Sequence, residues 1–221
     1  MKILVRSRRN PAASDLVVRP ARVTVPARPM RVLDFDVEAR PLHWINDEYV
    51  SKEITAIAWA WCDEPDHVVS VLLGEWPAEA MLTAFRAAYD QADMVTGHYI
   101  RGYDLPMLNG AMTEYELPPL DKKLTQDTKL DLVKRAGLSG SQENIGSMLG
   151  LAHDKVSMNQ TRWRAANRLT PEGLAIVRQR VVGDVQQHIE MRTRLLELGY
   201  LGNAVLWKPG GTAKQSAAYT P

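Results

Sequence analysis

The sequence predicts an α/β protein with a mixed central β-sheet flanked by α-helices, and three observations predict it. Three β-rich runs, RVLDFDV, EITAIAWAWC and HVVSVLLGE, follow one another with turn material between them (NDEYVSK, DEPD), the pattern of an antiparallel meander. PAEAMLTAFRAAYDQA then spaces its apolar residues as a helix does. Beyond it, strand-like and helix-like segments alternate, which adds strands to the sheet through helical crossovers.

The elements can be justified in order. Residues 1–29 are rich in Pro and Arg, with strand-like patches (KILVR, LVVRPARVTV) and no helical period, so they read as a basic extended arm or edge hairpin. The three β-runs come next, with Trp59 and Trp61 on one strand face as core candidates. Pro77 suits the first turn of the helix that follows. MVTGHY is a short strand ending at Gly97, DLPMLNGAMTEY a helix, and LTQDTKLDLVK a strand with its flank. Ser141 caps a short helix, QENIGSMLG, which Gly150 closes. Thr170, Pro171 and Glu172 open a long helix that runs to about Leu198, where Gly199 stops it. Residues 30–202 therefore form the folded domain, and the Gly/Ser/Pro-rich residues 203–221 read as a flexible tail. No internal repeat is present.

Composition narrows the class. A chain of 221 residues, 45% hydrophobic, can bury one good-sized core. The single cysteine, Cys62, excludes an internal disulfide and a cysteine-rich zinc site, and its strand-like context points to an inert thiol. No apolar stretch reaches membrane-spanning length, and the Arg-rich N-terminus lacks a signal-peptide core. These features describe a soluble protein of a reducing cytoplasm with no membrane partner. Of 27 Lys/Arg and 26 Asp/Glu, eight and one fall in the first 31 residues, leaving 19 and 25 for the remainder. A basic arm on a mildly acidic body suits a polyanionic partner, and equally a solvated tail.

RVLDFDVEAR poses the chemical question. In a strand, Asp34, Asp36 and Glu38 share one face while Leu33, Phe35 and Val37 share the other. Like charges so close are costly unless something positive faces them. Two further aspartates stand in suggestive contexts: Asp104 at a strand-to-helix junction in TGHYIRGYDLPML, and Asp184 among valines in RVVGDVQQH. Asp36, Glu38, Asp104 and Asp184 come from three separate elements, and carboxylates converging that way are what two hard cations, Mg²⁺ or Mn²⁺, require. Metal is thus the expected positive partner.

LDFDVEA, GHYIRGYDLPML and VVGDV resemble the three exonuclease motifs of the DEDD, or DnaQ-like, 3′–5′ exonucleases, which have a ribonuclease-H-like fold. The resemblance spans about residues 30–200 in the family's order, and QENIGSMLG resembles the helix before its third motif. It is similar to stand-alone, phage-type exonucleases. It implies that Asp36, Glu38, Asp104 and Asp184 are catalytic metal ligands and gives Asp34 no role, so Asp34 reads as a strand-flank residue or one supporting the ligands from behind. Two positions depart from the pattern. Where the family carries Tyr four residues, or His five, before the last Asp, this chain has Arg180 and Gln179. Tyr99 replaces an Asn common in the second motif.

Arg180 lies one helical turn from Asp184, and their ion pair could be a resting lock, a phosphate contact or a mark of lost activity. His188 or His98 are candidates to activate the water instead, and each also reads as an ordinary hydrogen-bonded histidine. Arg162, Trp163 and Arg164 in SMNQTRWRAANR pair phosphate-seeking cations with a stacking ring, the means of gripping single strands, although a solvated helix with one anchoring Trp has the same composition. Leu42 and Trp44, just after Glu38, are candidate base wedges, and Tyr99 and Tyr103 candidate substrate contacts or packing groups.

The resemblance implies a metal-dependent 3′–5′ exonuclease acting at single-stranded or frayed 3′ ends of DNA, with a separate DNA polymerase as a conceivable partner, in the host cytoplasm if phage-encoded. An RNA exonuclease, or a non-catalytic nucleic-acid-binding or polymerase-accessory protein on the same frame, are the alternatives.

Overall fold

The computed structural model describes residues 28–42, 51–133, 136–153 and 156–211. Most of the basic arm, and Trp44, lie outside them. Six strands form one mixed sheet: β1 (Val32–Pro41), β2 (Lys52–Trp61), β3 (Val69–Leu72), β4 (Met94–Gly97), β5 (Lys123–Asp127) and β6 (Val205–Trp207). Their order is β3-β2-β1-β4-β5-β6. The expected meander is present, with β1–β2 and β2–β3 antiparallel. Strands β4 and β5 join in parallel to β1 and to one another, through α1 (Ala78–Gln91) and α2 (Asp104–Glu114). The expected α/β class and mixed sheet are therefore present.

Strand alternation sorts the two faces. Leu33, Phe35 and Val37 pack with Ile57, Trp59, Phe85 and Leu105 in the larger core, under α1 and α2. The opposite face of β2 presents Ala56, Ala58 and Ala60 to Val177, Val181 and Val185 of the long helix α5 (Pro171–Glu197). Three alanines in register make a shallow trough, so the helix lies close over β1 and β2 and meets the even-numbered residues of β1. Trp59 is in the core as expected, and Trp61 is half-buried under the Arg31 guanidinium. Among the described residues no helix is long and apolar enough to cross a membrane.

The caps behave as the sequence implied. Ser141 accepts from the Asn144 amide at 3.2 Å to start α3 (Gln142–Leu149), which ends in left-handed Gly150. Thr170 accepts from the Gly173 amide at 3.1 Å to start α5. The segment around Trp163 is itself a helix, α4 (Gln160–Asn167), capped by Asn159. A Cβ on Gly173 would lie 2.2 Å from the Ala165 carbonyl, so glycine there is what lets α4 fold back onto α5.

Residues 203–221, expected as a flexible tail, contain β6. It pairs antiparallel with β5, Thr125 opposite Val205, and buries Trp207 in the larger core. Three residues give too short a period to stand out in a Gly/Pro-rich context; the strand exists because β5 offers an open edge.

Candidate metal centre

The site lies on the sheet face covered by α5. Asp34, Asp36 and Glu38 alternate toward that face, two residues and about 6.6–6.8 Å apart. Helix α5 runs over them with His188, Asp184 and Arg180, four residues and about 6 Å apart. The two spacings nearly match, so three pairs form in antiparallel order: His188 with Asp34, Asp184 near Asp36, Arg180 with Glu38.

Asp36, Glu38 and Asp184 bring ligand oxygens within 4.8 Å of one another, the group among the described residues able to hold a metal ion. All the donors are carboxylate oxygens, which fit a hard divalent cation. A register shift in the β1–β2 ladder falls between Glu38 and Ala39, immediately after the last of these ligands on β1. Such bulges re-aim a side chain next to a site.

Asp104, expected as the fourth ligand, lies outside that group. It begins α2, is buried, and accepts a hydrogen bond of 3.1 Å from the Val37 amide, between Asp36 and Glu38. Burial pushes its carboxyl up to about 8; the hydrogen bonds it accepts oppose this, and the charges of Asp127 and Glu38 add to it. It therefore adjoins the cluster through the backbone, one strand residue away.

Among the described residues, Arg180 is a cation that faces the cluster. Its Nε donates to Glu38, its Nη2 lies 3.6 Å from Asp184 Oδ2, and its Nη1 donates to the Val156 carbonyl at 2.8 Å. Its guanidinium also lies 5.5 Å from the Trp163 ring centroid. The i,i+4 pair with Asp184 is thus present, and Glu38 is the more direct partner. Burial works against the charge of Arg180, but Glu38, Asp184 and Asp36 overcome it and raise its pKa further. For the β1 carboxylates the sequence pointed to metal and paired Arg180 only with Asp184; the structure sets Arg180 beside Glu38 at one end of the ladder and His188 beside Asp34 at the other.

His188 and His98 do not face the cluster as water-activating bases. His188 Nδ1 pairs with Asp34, and its Nε2 meets Thr128 Oγ1 at 2.8 Å. Thr128 Oγ1 meets His98 Nδ1 at 3.0 Å, and His98 Nε2 meets the Gly140 carbonyl at 2.9 Å. A carbonyl only accepts, so a neutral His98 carries its hydrogen on Nε2 and accepts from Thr128; Thr128 in turn accepts from His188 Nε2. His188 Nδ1 and Asp34 then share one proton, which leaves that buried pair without net charge. Both ring nitrogens of both histidines are engaged in this chain. Asp34 is fully buried, and its carboxyl is pushed up by burial, with His188 acting in the other direction. Cys62 is half-buried, and burial pushes its thiol pKa far up, with Asp34 adding to the shift.

The remaining candidates lie outside the group of three carboxylates. Tyr103 is half-buried beside the site, its hydroxyl pKa raised by burial and by Asp104, Glu38 and Asp36. Tyr99 is exposed, has a left-handed φ of 74°, and lies under Lys129 Nζ at 4.1 Å from its ring. Leu42 is half-buried, its amide donating to Ser51 across the β1–β2 ladder. Arg162 and Arg164 are exposed on α4, while Trp163 is half-buried against the α5 core and so acts at least as the anchor of its helix.

One cluster was not foreseen. Asp127, at the end of β5, accepts from the amides of Tyr99 and Arg101, both at 3.0 Å, and from those of Lys129 and Leu130. Asp131 accepts two bonds from the buried Arg101 guanidinium, at 2.9 and 2.5 Å, and one from the Asp127 amide. Together they hold the β4–α2 loop that delivers Asp104. An Asp closing a strand and accepting from amides two and three residues on is a local turn signal visible in DTKLD. Its reach to Tyr99 and Arg101 has no local signal.

No protein-family model matches the sequence, and no curated protein does. Among solved structures, the family B DNA polymerase from the hyperthermophilic archaeon Pyrobaculum calidifontis is similar, with a TM-score of 0.57 and 16% sequence identity over 76% of this chain. The chain spans only 25% of that polymerase's length. At that identity the likeness is one of fold.

Proposed function

We propose that this protein is a metal-dependent 3′–5′ exonuclease that hydrolyses phosphodiester bonds at the 3′ end of DNA. The observation that carries the reading is the convergence of Asp36, Glu38 and Asp184 within 4.8 Å, on a sheet whose fold is similar to that of a DNA polymerase. Asp36, Glu38 and Asp184 would hold Mg²⁺ or Mn²⁺, and Asp104 would join them by turning from the Val37 amide. Two ions held by these carboxylates would supply an activated water and a counter-charge for the leaving 3′ oxygen. The chain's own residues orient and exclude. Asp34 stays neutralised by His188, so it does not add charge to the site. Asp127 and Asp131 fix the loop before Asp104. Tyr103, with its raised hydroxyl pKa, remains a hydrogen-bond donor at the rim, suited to a phosphate oxygen or sugar hydroxyl.

A second reading is favoured by one observation. Arg180 occupies the helix position where the resemblance expects a Tyr, and it contacts two of the three clustered carboxylates. A guanidinium cannot act as a general base near neutral pH. A nucleic-acid-binding protein that has lost catalysis is consistent with that.

Digestion of 3′- and 5′-labelled DNA and RNA strands in Mg²⁺, Mn²⁺ or EDTA separates the readings. The exonuclease reading expects mononucleotides from the labelled 3′ end, activity stronger in Mn²⁺ than in Mg²⁺, and none in EDTA. Asp36→Ala should abolish cleavage and leave the circular dichroism spectrum intact. Binding without cleavage in every ion, with cleavage restored by Arg180→Tyr, establishes the second reading. Preferential loss of the RNA strand would reassign the substrate.

A further inference from the structure

Arg180 contacts two of the three carboxylates that could hold a divalent cation. One guanidinium engages both Glu38 and Asp184, and its side chain is only 14% exposed. A guanidinium has donors and no acceptor, so it can neutralise these carboxylates but cannot relay a proton between them. It hydrogen-bonds a Glu38 oxygen that a metal ion would use, and lies 3.6 Å from an Asp184 oxygen that the same ion would use. Its other contacts are of a different kind: Nη1 to the Val156 carbonyl, and the cationic face over Trp163. Neither involves a candidate metal ligand.

We propose that Arg180 is an internal counter-ion of the Asp36–Glu38–Asp184 cluster that a divalent cation must displace, so that metal binding and release of Arg180 are one exchange. The proposal rests on the metal-site reading above. Three carboxylates within 4.8 Å repel one another, and the charge of Arg180 offsets that repulsion in the metal-free protein. The same contacts weaken metal binding, because an ion must replace the attraction that it breaks. Val156 and Trp163 remain as partners for the displaced guanidinium, which therefore stays at the rim. From there its planar fork can engage an incoming phosphate, and the cation that closed the empty site becomes a contact for the loaded one.

The test is calorimetric titration of Mn²⁺ into the full chain, as wild type, Arg180→Met and Arg180→Lys. Met keeps most of the stem and removes the charge; Lys keeps the charge and loses the fork. Arg180→Met should bind Mn²⁺ about ten- to a hundredfold more tightly, the scale expected from removing one unit charge about 4 Å from the ligand oxygens. Arg180→Lys should fall between it and wild type. The metal-free Arg180→Met chain should melt below wild type, and Mn²⁺ should raise its melting temperature by the larger increment. Equal or weaker Mn²⁺ binding in Arg180→Met overturns the exchange while leaving a metal site in place. Absence of Mn²⁺ binding in wild type and variants alike overturns the metal-site reading and the exchange together. If Arg180→Met does not fold, Arg180→Lys decides, since it too must bind Mn²⁺ more tightly than wild type.

Discussion

The two ends of the β1 carboxylate ladder differ sharply, although the same strand face and the same helix build both. At the Asp34 end, a fully buried carboxylate meets a histidine that is itself 2% exposed, and a hydrogen-bonded chain through Thr128 and His98 ends on a backbone carbonyl. At the Glu38 end, two acids of β1 and one of α5 crowd together beside a partly exposed arginine. The first end is sealed and neutral. The second gathers three carboxylates, with Asp36 and Glu38 half-buried rather than sealed. What distinguishes them is the residue α5 offers at each successive turn, which shows how one repeated geometry can yield a structural lock and a carboxylate cluster able to hold a metal ion two strand positions apart.

Breaking the sealed end should cost the most. His188→Ala removes the direct partner of the buried Asp34 and leaves only the more distant charge of Arg192, and removing one partner of such a pair typically costs about 3–5 kcal/mol in denaturant unfolding. Asp34→Val combined with His188→Leu should recover most of that loss, because a packed apolar pair replaces the buried ions. Metal affinity should be nearly unchanged in the folded double variant. A large fall in affinity would show that the two ends are not separate.

The open end should respond to pH instead. The Asp104 carboxyl lies at about 8 in the fold against an ordinary value of 3.8. Its folded pKa is raised, so its contribution to stability is full below about pH 4 and is lost as pH rises through about 8. In EDTA the loss can reach about 1.4 kcal/mol per pH unit, one proton's worth. Asp104→Asn, which keeps the acceptor for the Val37 amide, should flatten the melting profile between pH 5 and 9. An unchanged slope would move the titration to another group.

The smallest effect concerns the rim. Arg162 and Arg164 are exposed on α4, the helix whose Trp163 lies under Arg180. Replacing both with Ser should leave stability within about 0.5 kcal/mol. If these residues meet phosphates, the slope of log affinity against log salt for a single strand should fall by roughly one unit. An unaltered slope would make α4 a structural brace for the open end and nothing more.

Local sequence settled much of this protein. The alternation in RVLDFDVEAR set which β1 residues face α5, and the Ser141, Gly150 and Thr170 signals set where two helices begin and where one of them ends, because caps and strand faces depend on neighbours a few residues away. The resemblance of three motifs pointed to Asp36, Glu38 and Asp184 together before any contact was visible. Tertiary structure alone decided the rest. Asp34 and His188 are 154 positions apart, and Arg180 and Glu38 are 142 apart. Their pairing follows from a helix lying in register over a strand, in a trough made by three alanines of β2. Asp104 was aimed at the cluster by motif and instead held one amide away, on Val37, by the loop that Asp127 and Arg101 fix. Strand β6 was hidden for the same reason: its partner is the edge of β5, about 80 residues earlier in the chain. A side chain's type and face are written in its neighbourhood, but the charge it meets is chosen by packing between segments that sequence proximity does not connect.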